Sequence, residues 1–140
     1  VLQRLVRKLG LGDVVRLLPP VDRSRMADLF RACQVLVSPS TEDGTPNSLL
    51  EGMACGAFPV AGDLPSVREW IEPGRNGLLF DPRDPEALSA CLIRVLEDGA
   101  LRAGAREANQ ALIDRDASYP SVMTRAEAYY RSVGGRPAAA

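Results

Sequence analysis

The stretch Val35-Leu36-Val37-Ser38-Pro39-Ser40-Thr41-Glu42-Asp43-Gly44-Thr45-Pro46-Asn47-Ser48-Leu49-Leu50-Glu51-Gly52-Met53-Ala54-Cys55-Gly56-Ala57-Phe58-Pro59-Val60-Ala61 reads as strand, loop, helix and strand. Val35–Ser38 is a compact apolar run closed by Pro39, and Phe58–Ala61 is another. Pro46 suits the first position of the helix between them, because its missing N–H would have no intrahelical partner there. Thr45 can cap the free backbone donors, and Gly56 can end the helix in a left-handed conformation. Short, continuously apolar strands alternating with helices indicate a parallel sheet covered on both faces.

The same alternation extends outward. Val1–Leu9 has apolar residues at helical spacing and stops at Gly10. Val14–Leu18 is β-like and is closed by Pro19-Pro20. Ser24 can cap a helix to about Ala32, Pro65 opens one to about Glu72, and Gly77–Phe80 reads as a fourth strand. After Asp81 the pattern becomes helical. Asp84-Pro85-Glu86 opens a helix to about Glu97, and two more run from Leu101 to about Arg115 and from Ser121 to about Val133. The expected fold is α/β: a Rossmann-like parallel sheet of about four strands, covered by helices, with carboxyl-terminal helices after the last strand. Residues 1–133 form one domain with no internal repeat, and 134–140 a disordered tail.

In such sheets ligands sit at the carboxyl ends of the strands. The loop after Val35–Ser38 lies there, and it carries Asp43; Glu51 follows on the helix. A helix start offers unpaired N–H groups and a positive dipole end to phosphate or sugar hydroxyls. Carboxylates on either side could accept hydrogen bonds from a polyhydroxyl ligand. The plainer alternative is a loop leading into a capped helix, with Glu51 a solvated residue.

Composition narrows the chemistry. The chain is near neutral, with 17 basic and 18 acidic residues. Its arginines are scattered through predicted helices, which gives nucleic-acid binding little support. No apolar run approaches a membrane span, and no secretory pattern opens the chain. Cys33, Cys55 and Cys91 fit no zinc or redox spacing and read as buried free thiols of a reducing compartment. With no histidine in the sequence, serine–histidine and cysteine–histidine nucleophiles and histidine-ligated metals are excluded. Carboxylates, hydroxyls, arginines and backbone dipoles are what remains.

Pro39-Ser40-Thr41-Glu42-Asp43-Gly44, running into Leu50-Glu51-Gly52-Met53-Ala54-Cys55-Gly56 and then Pro59-Val60, resembles the group 1 (family 4) retaining glycosyltransferases of GT-B fold. Leu9–Leu17, Glu69, Asn76-Gly77-Leu78-Leu79-Phe80 and Asp84–Leu88 fit the same family in the same order. The resemblance implies the carboxyl-terminal, nucleotide-sugar-binding half of such an enzyme. By its Glu-x7-Glu pattern Glu51 holds the ribose hydroxyls and Asp43, shorter by one methylene than the family's glutamate, positions the donor sugar. Glu42 is the alternative to Asp43, which the spacing favours. Backbone N–H groups of Gly44, Thr45, Pro46, Asn47, Ser48 and Leu49 form the diphosphate and sugar cradle, Pro46 contributing only its position. No metal and no cofactor are implied. The family's Gly-Gly pair after the next strand is Gly62-Asp63 here. Arg68 reads as a surface helix residue, and Trp70 either packs or stacks on a base.

The resemblance also implies an incomplete GT-B half. The family's nucleotide-binding domain starts with a strand, a helix and a strand that would precede Val1, and these bring an arginine and a lysine to the diphosphate. The acceptor domain would precede them. In the order 3-2-1-4-5-6 the first two strands lie between Val14–Leu18 and Val35–Ser38. Without them the expected outcome is a rearranged four-stranded sheet with Val14–Leu18 beside Val35–Ser38, or strand-mediated self-association.

The function implied is transfer of a hexose from a nucleotide-diphosphate donor to an acceptor hydroxyl of a sugar, lipid or other compound, with retention. The isolated chain would be inactive. The parent protein would be cytoplasmic or membrane-peripheral. The alternatives are a GT-B-like sugar-nucleotide epimerase or hydrolase, and a non-catalytic α/β binding module.

Overall fold

The computed structural model describes residues 1–44 and 46–134. Its elements run α1 (Leu2–Lys8), α2 (Arg23–Ala32), β1 (Val35–Ser38), α3 (Asn47–Ala54), β2 (Phe58–Gly62), α4 (Pro65–Arg68), β3 (Leu78–Phe80), α5 (Pro85–Glu97), α6 (Gly99–Asp116) and α7 (Tyr119–Gly134). The sheet is parallel in the order β1-β2-β3. Val35 lies opposite Phe58 and Ser38 opposite Ala61, while Val60 lies opposite Leu78 and Gly62 opposite Phe80.

Alternation along β2 builds the core. Phe58 and Val60 face one side with Leu78, Phe80, Val95 and Ala105; Ala61 faces the other with Leu49, Met53, Val67, Ile71 and Ile113. Successive strand residues point to opposite faces, so a strand buried on both faces reads as one apolar run. All five residues of β2 are buried. α6 serves both sides, through Ala105 and Ile113.

The described sheet has three strands, not four, and Val14–Leu18 is not one of them. Its backbone is committed elsewhere: the N–H groups of Val14 and Val15 donate to the Leu11 carbonyl at 3.2 and 2.8 Å. Pro19 and Pro20 have no N–H to extend a ladder. Val14–Leu18 is therefore exposed, and it does not pair with β1.

Several boundaries differ from the sequence expectation. Asp22, not Ser24, caps α2; its Oδ1 accepts from the Arg25 N–H and the Ser24 hydroxyl, both at 2.8 Å. Those bonds hold the Asp22 carboxyl below its usual range. α4 stops at Arg68 instead of about Glu72. The cause is Asn76, whose amide donates to the Trp70 carbonyl at 2.9 Å and accepts from the Glu72 N–H at 2.7 Å. A helix through Glu72 would need that N–H for its own last turn, on the Arg68 carbonyl. α6 begins at Gly99, capped by Asp98, whose Oδ1 takes the Leu101 N–H at 2.8 Å. α5 starts as expected, with Asp84 capping Ala87 and Pro85 in the first turn.

The three cysteines are free and half-buried instead of fully buried. Burial pushes the Cys33 and Cys91 thiols up. α7 has no buried residue, and Gly134, the first residue of the expected tail, ends it. Residues 135–140 lie outside the described residues. None of the described helices is long and apolar enough to cross a membrane.

Candidate functional site

The loop after β1 and the start of α3 sit at the carboxyl end of the sheet. Pro46 is the N-cap of α3 and not its first helical residue: at φ −79°, ψ 85° its backbone is still outside the helix. Its carbonyl accepts from the N–H groups of Leu49 and Leu50 at 2.9 and 3.1 Å. Asn47 and Ser48 are the positions whose N–H groups have no partner within the helix. Thr45, the expected cap, lies outside the described residues.

The rest of α3 explains why this helix start is held in place. Met53 and Leu49 are fully buried under it. Gly52 lies against β1 so closely that an added Cβ would collide with the Leu36 side chain. Gly56 has φ +90°, and the N–H groups of Gly56 and Ala57 return to the carbonyls of Met53 and Gly52, both at 3.0 Å. That is the paired hydrogen-bond closure of a left-handed helix end.

Asp43, Gly44, Asn47, Ser48 and Glu51 are exposed, on one loop and the helix it feeds. Pro46 is buried and shapes the turn. Leu49 is fully buried, with its side chain in the core and its N–H on the Pro46 carbonyl, so it offers a ligand nothing. Glu51 lies 3.8 Å from the guanidinium of Arg23 at the start of α2. An exposed pair at that distance contributes little stability, so the carboxylate is available to a ligand. Glu42 is exposed as well.

The loop after β2 meets the loop after β1. A Cβ on Gly62 would collide with the Ser40 carbonyl oxygen, and the Ser66 hydroxyl donates to the Asp43 carbonyl at 2.9 Å. Asp63 continues the sheet by donating its N–H to the Phe80 carbonyl at 2.8 Å. Its carboxylate takes two bonds from Arg68, one of them Nη2 to Oδ2 at 2.7 Å. The Arg68 hydrogen bonds hold the Asp63 carboxyl below its usual range and push the Arg68 guanidinium up. Arg68 is thus the partner of Asp63 and not a free surface residue. Arg23 and Ser66 were not singled out from the sequence; their roles arise from contacts between elements distant in the chain.

A groove of about 830 Å³ lies elsewhere, between α4, the 70–76 turn and α6. Trp70, Leu79 and Leu112 line it with Arg68, Arg75 and Arg115. Each of those arginines already faces a carboxylate, on Asp63, Glu72 and Asp116 respectively. The groove is therefore charge-balanced, and neither Asp43 nor Glu51 lines it. Trp70 packs half-buried in its wall, and its buried indole N–H has no hydrogen-bond partner. Among the described residues no cluster of three or more Cys, Asp and Glu side chains is arranged to hold a metal. The exposed carboxylates of Asp43 and Glu51 are on the β1–α3 side instead.

A sequence model of the family described as "Glycosyl transferases group 1" matches residues 1–112. The chain belongs to that family. It is 38% identical over 112 residues to the D-inositol 3-phosphate glycosyltransferase of Streptomyces avermitilis, covering 76% of this chain and 24% of that protein. The corresponding enzyme of Thermobispora bispora is 37% identical over 105 residues, covering 72% of this chain and 24% of that protein. The chain thus spans about a quarter of the length of these relatives.

Among solved structures, sucrose-phosphate synthase from Thermosynechococcus elongatus superposes with a TM-score of 0.87 at 25% identity, covering 94% of this chain and 33% of that one. Anabaena HepE in complex with UDP and glucose gives 0.83 at 23% identity, over 94% of this chain and 35% of that one. The expected fold class, a small parallel sheet within a GT-B-type α/β unit, is borne out.

Proposed function

We propose that residues 1–133 form part of the donor-binding domain of a glycosyltransferase, which moves a sugar from a nucleotide-diphosphate donor to an acceptor hydroxyl with retention. The observation that carries this is the placement of exposed Asp43 and Glu51 on either side of the α3 start, at the carboxyl end of β1, in a chain of the glycosyl transferase family. Solved neighbours include HepE in complex with UDP-glucose, which supports a nucleotide sugar as donor. Glu51 anchors the ribose hydroxyls, and Asp43 orients the donor sugar. We assign the N–H groups of Asn47 and Ser48 to the diphosphate and that of Gly44 to the sugar hydroxyls, on the turn that Pro46 shapes; the Leu49 N–H already donates to the Pro46 carbonyl. The acceptor is bound by another part of the protein, which works in the cytoplasm or at a membrane surface.

The chemistry follows from what the chain has. The departing diphosphate builds negative charge, and dipoles fixed before reaction stabilise it without reorganisation. The α3 start supplies such dipoles. Asp43 is exposed and acts on the sugar's hydroxyls by hydrogen bonding.

The test is calorimetric titration of the full-length protein with uridine, guanosine and adenosine diphosphates. One of them binds, and Glu51→Ala weakens it by about 10- to 100-fold, the size of one or two hydrogen bonds to a charged group. Binding of none removes the donor-site reading. Unchanged affinity in Glu51→Ala makes Glu51 a solvated surface residue.

A further inference from the structure

We infer that Ser66 is a positioning residue for the donor sugar, held in place by the Asp63–Arg68 pair; the inference rests on the donor-site reading above. Asp43 has a short side chain, so where its carboxylate reaches is set mainly by its backbone. Among the described residues, one hydrogen bond from a separate element reaches the loop that carries it. Asp43 and its neighbours Glu42 and Gly44 are exposed, and the space around Gly44 is open. The hydrogen bond that reaches Asp43 from a distant element is the one Ser66 Oγ donates to its carbonyl, across 23 residues of chain, at 2.9 Å.

Ser66 is itself fixed from two directions. It belongs to α4, a single turn opened by Pro65. One turn of helix is not stable alone, so its orientation depends on tertiary ties. Val67 buries the inner face. On the outer face the Arg68 guanidinium spans back to the Asp63 carboxylate through two bonds. Asp63 is in turn tied to β3 through its N–H on the Phe80 carbonyl at 2.8 Å. A two-bond Arg–carboxylate contact fixes direction as well as distance. A continuous path thus runs from the rigid sheet, through Asp63, Arg68 and Ser66, to the main chain of Asp43. Gly62 allows it by letting the end of β2 pass directly under Ser40.

A tie of this kind acts on the sugar and not on the nucleotide, because Glu51 stands on α3 and is anchored by core packing instead. The separating experiment compares two affinities on the full-length protein by calorimetry: the nucleoside diphosphate that binds, and its glucose conjugate. The gain in affinity from the sugar is the readout. Ser66→Ala is expected to cut that gain by about fivefold, the size of one ordinary hydrogen bond, while diphosphate affinity stays within twofold. Ser66→Thr keeps the hydroxyl and restores the gain. Arg68→Ala lowers it in the same direction.

The donor-site reading and this inference fail differently. If no nucleoside diphosphate binds to the unmodified protein, both fall. If one binds but Ser66→Ala leaves the sugar's contribution unchanged, the positioning role alone is overturned. Equal weakening of both ligands also overturns it, since that marks a general loss of structure.

Discussion

Two regions of this chain have similar apolar content and opposite fates. The β2 segment, Phe58-Pro59-Val60-Ala61-Gly62, is buried throughout. The segment Val14-Val15-Arg16-Leu17-Leu18 is exposed along its whole length. Both look like strands in sequence. The difference is in their neighbours: β2 has β1 on one edge and β3 on the other, with helices on both faces. Val14–Leu18 has spent its first two donors on a local turn and meets prolines at its end. Apolar composition makes a strand possible; a ladder partner makes it a strand.

The largest way to test that contrast is by truncation on each side. Met53→Ala, under the sheet, is expected to cost about 2–5 kcal/mol, from lost burial plus a cavity. Leu18→Ala, at 58% exposure, should change stability by no more than about 0.5 kcal/mol. Urea unfolding at neutral pH measures both. A cost at Leu18 near that at Met53 would mean the segment is covered in solution, and the contrast would collapse.

A smaller effect concerns the turn that interrupts the helical pattern after Arg68. Asn76→Ala removes the acceptor of the Glu72 N–H and the donor to the Trp70 carbonyl, at a site only 6% exposed. Leaving buried backbone groups unpaired costs about 1–3 kcal/mol. Asn109 loses nothing directly, because its amide donates to the Asn76 main-chain carbonyl, which alanine keeps. Smaller again, Asp84→Ala should cost about 1 kcal/mol by uncapping α5. Each is read as a shift in unfolding midpoint against the unmodified protein.

How far the sequence disclosed this molecule depends on the range of the interactions involved. Periodicity located β1, β2 and β3 within a residue or so, since a strand buried on both faces must be continuously apolar. The cap of α5 was legible because Asp84-Pro85 is a local signal. The cap of α2 was read two residues late, because Asp22 and Ser24 are both good caps and only geometry chooses. Val14–Leu18 was misread, since no local pattern records whether an edge is available. The candidate site divides in the same way. Asp43 and Glu51 stand out by spacing along one strand–loop–helix unit. Ser66, Asp63 and Arg23 enter only through contacts between separate elements. Two departures from the family's pattern, aspartate at 43 and at 63, are both tied to α4, Asp63 through the Arg68 side chain and Asp43 through the Ser66 hydroxyl.

The smallest expected effect probes that chain through pH. Arg68 hydrogen bonding holds the Asp63 carboxyl below its ordinary 3.8, with slight burial opposing it. A carboxyl whose value is lower in the folded state stabilises fully above its unfolded value and loses that contribution as pH falls through the folded one. Arg68 moves upward and stays charged throughout this range. The pair therefore contributes a constant amount from neutral pH down to about 5, and less below about 4. The contribution is modest, because the Arg68 side chain is 65% exposed and the Asp63 side chain 33%, and solvent screens such pairs. Asp63→Asn should accordingly unfold slightly earlier than the unmodified protein at pH 7, and the gap should be narrower at pH 3, below the ordinary carboxyl value. The core variant Met53→Ala provides the contrast, since its deficit contains no ionisable group and should persist between the same two pH values. A gap at Asp63 that survives acid as well would assign its role to shape and main-chain bonding to Phe80, not to charge, and would leave α4 anchored by Val67 and Ser66 without the ion pair.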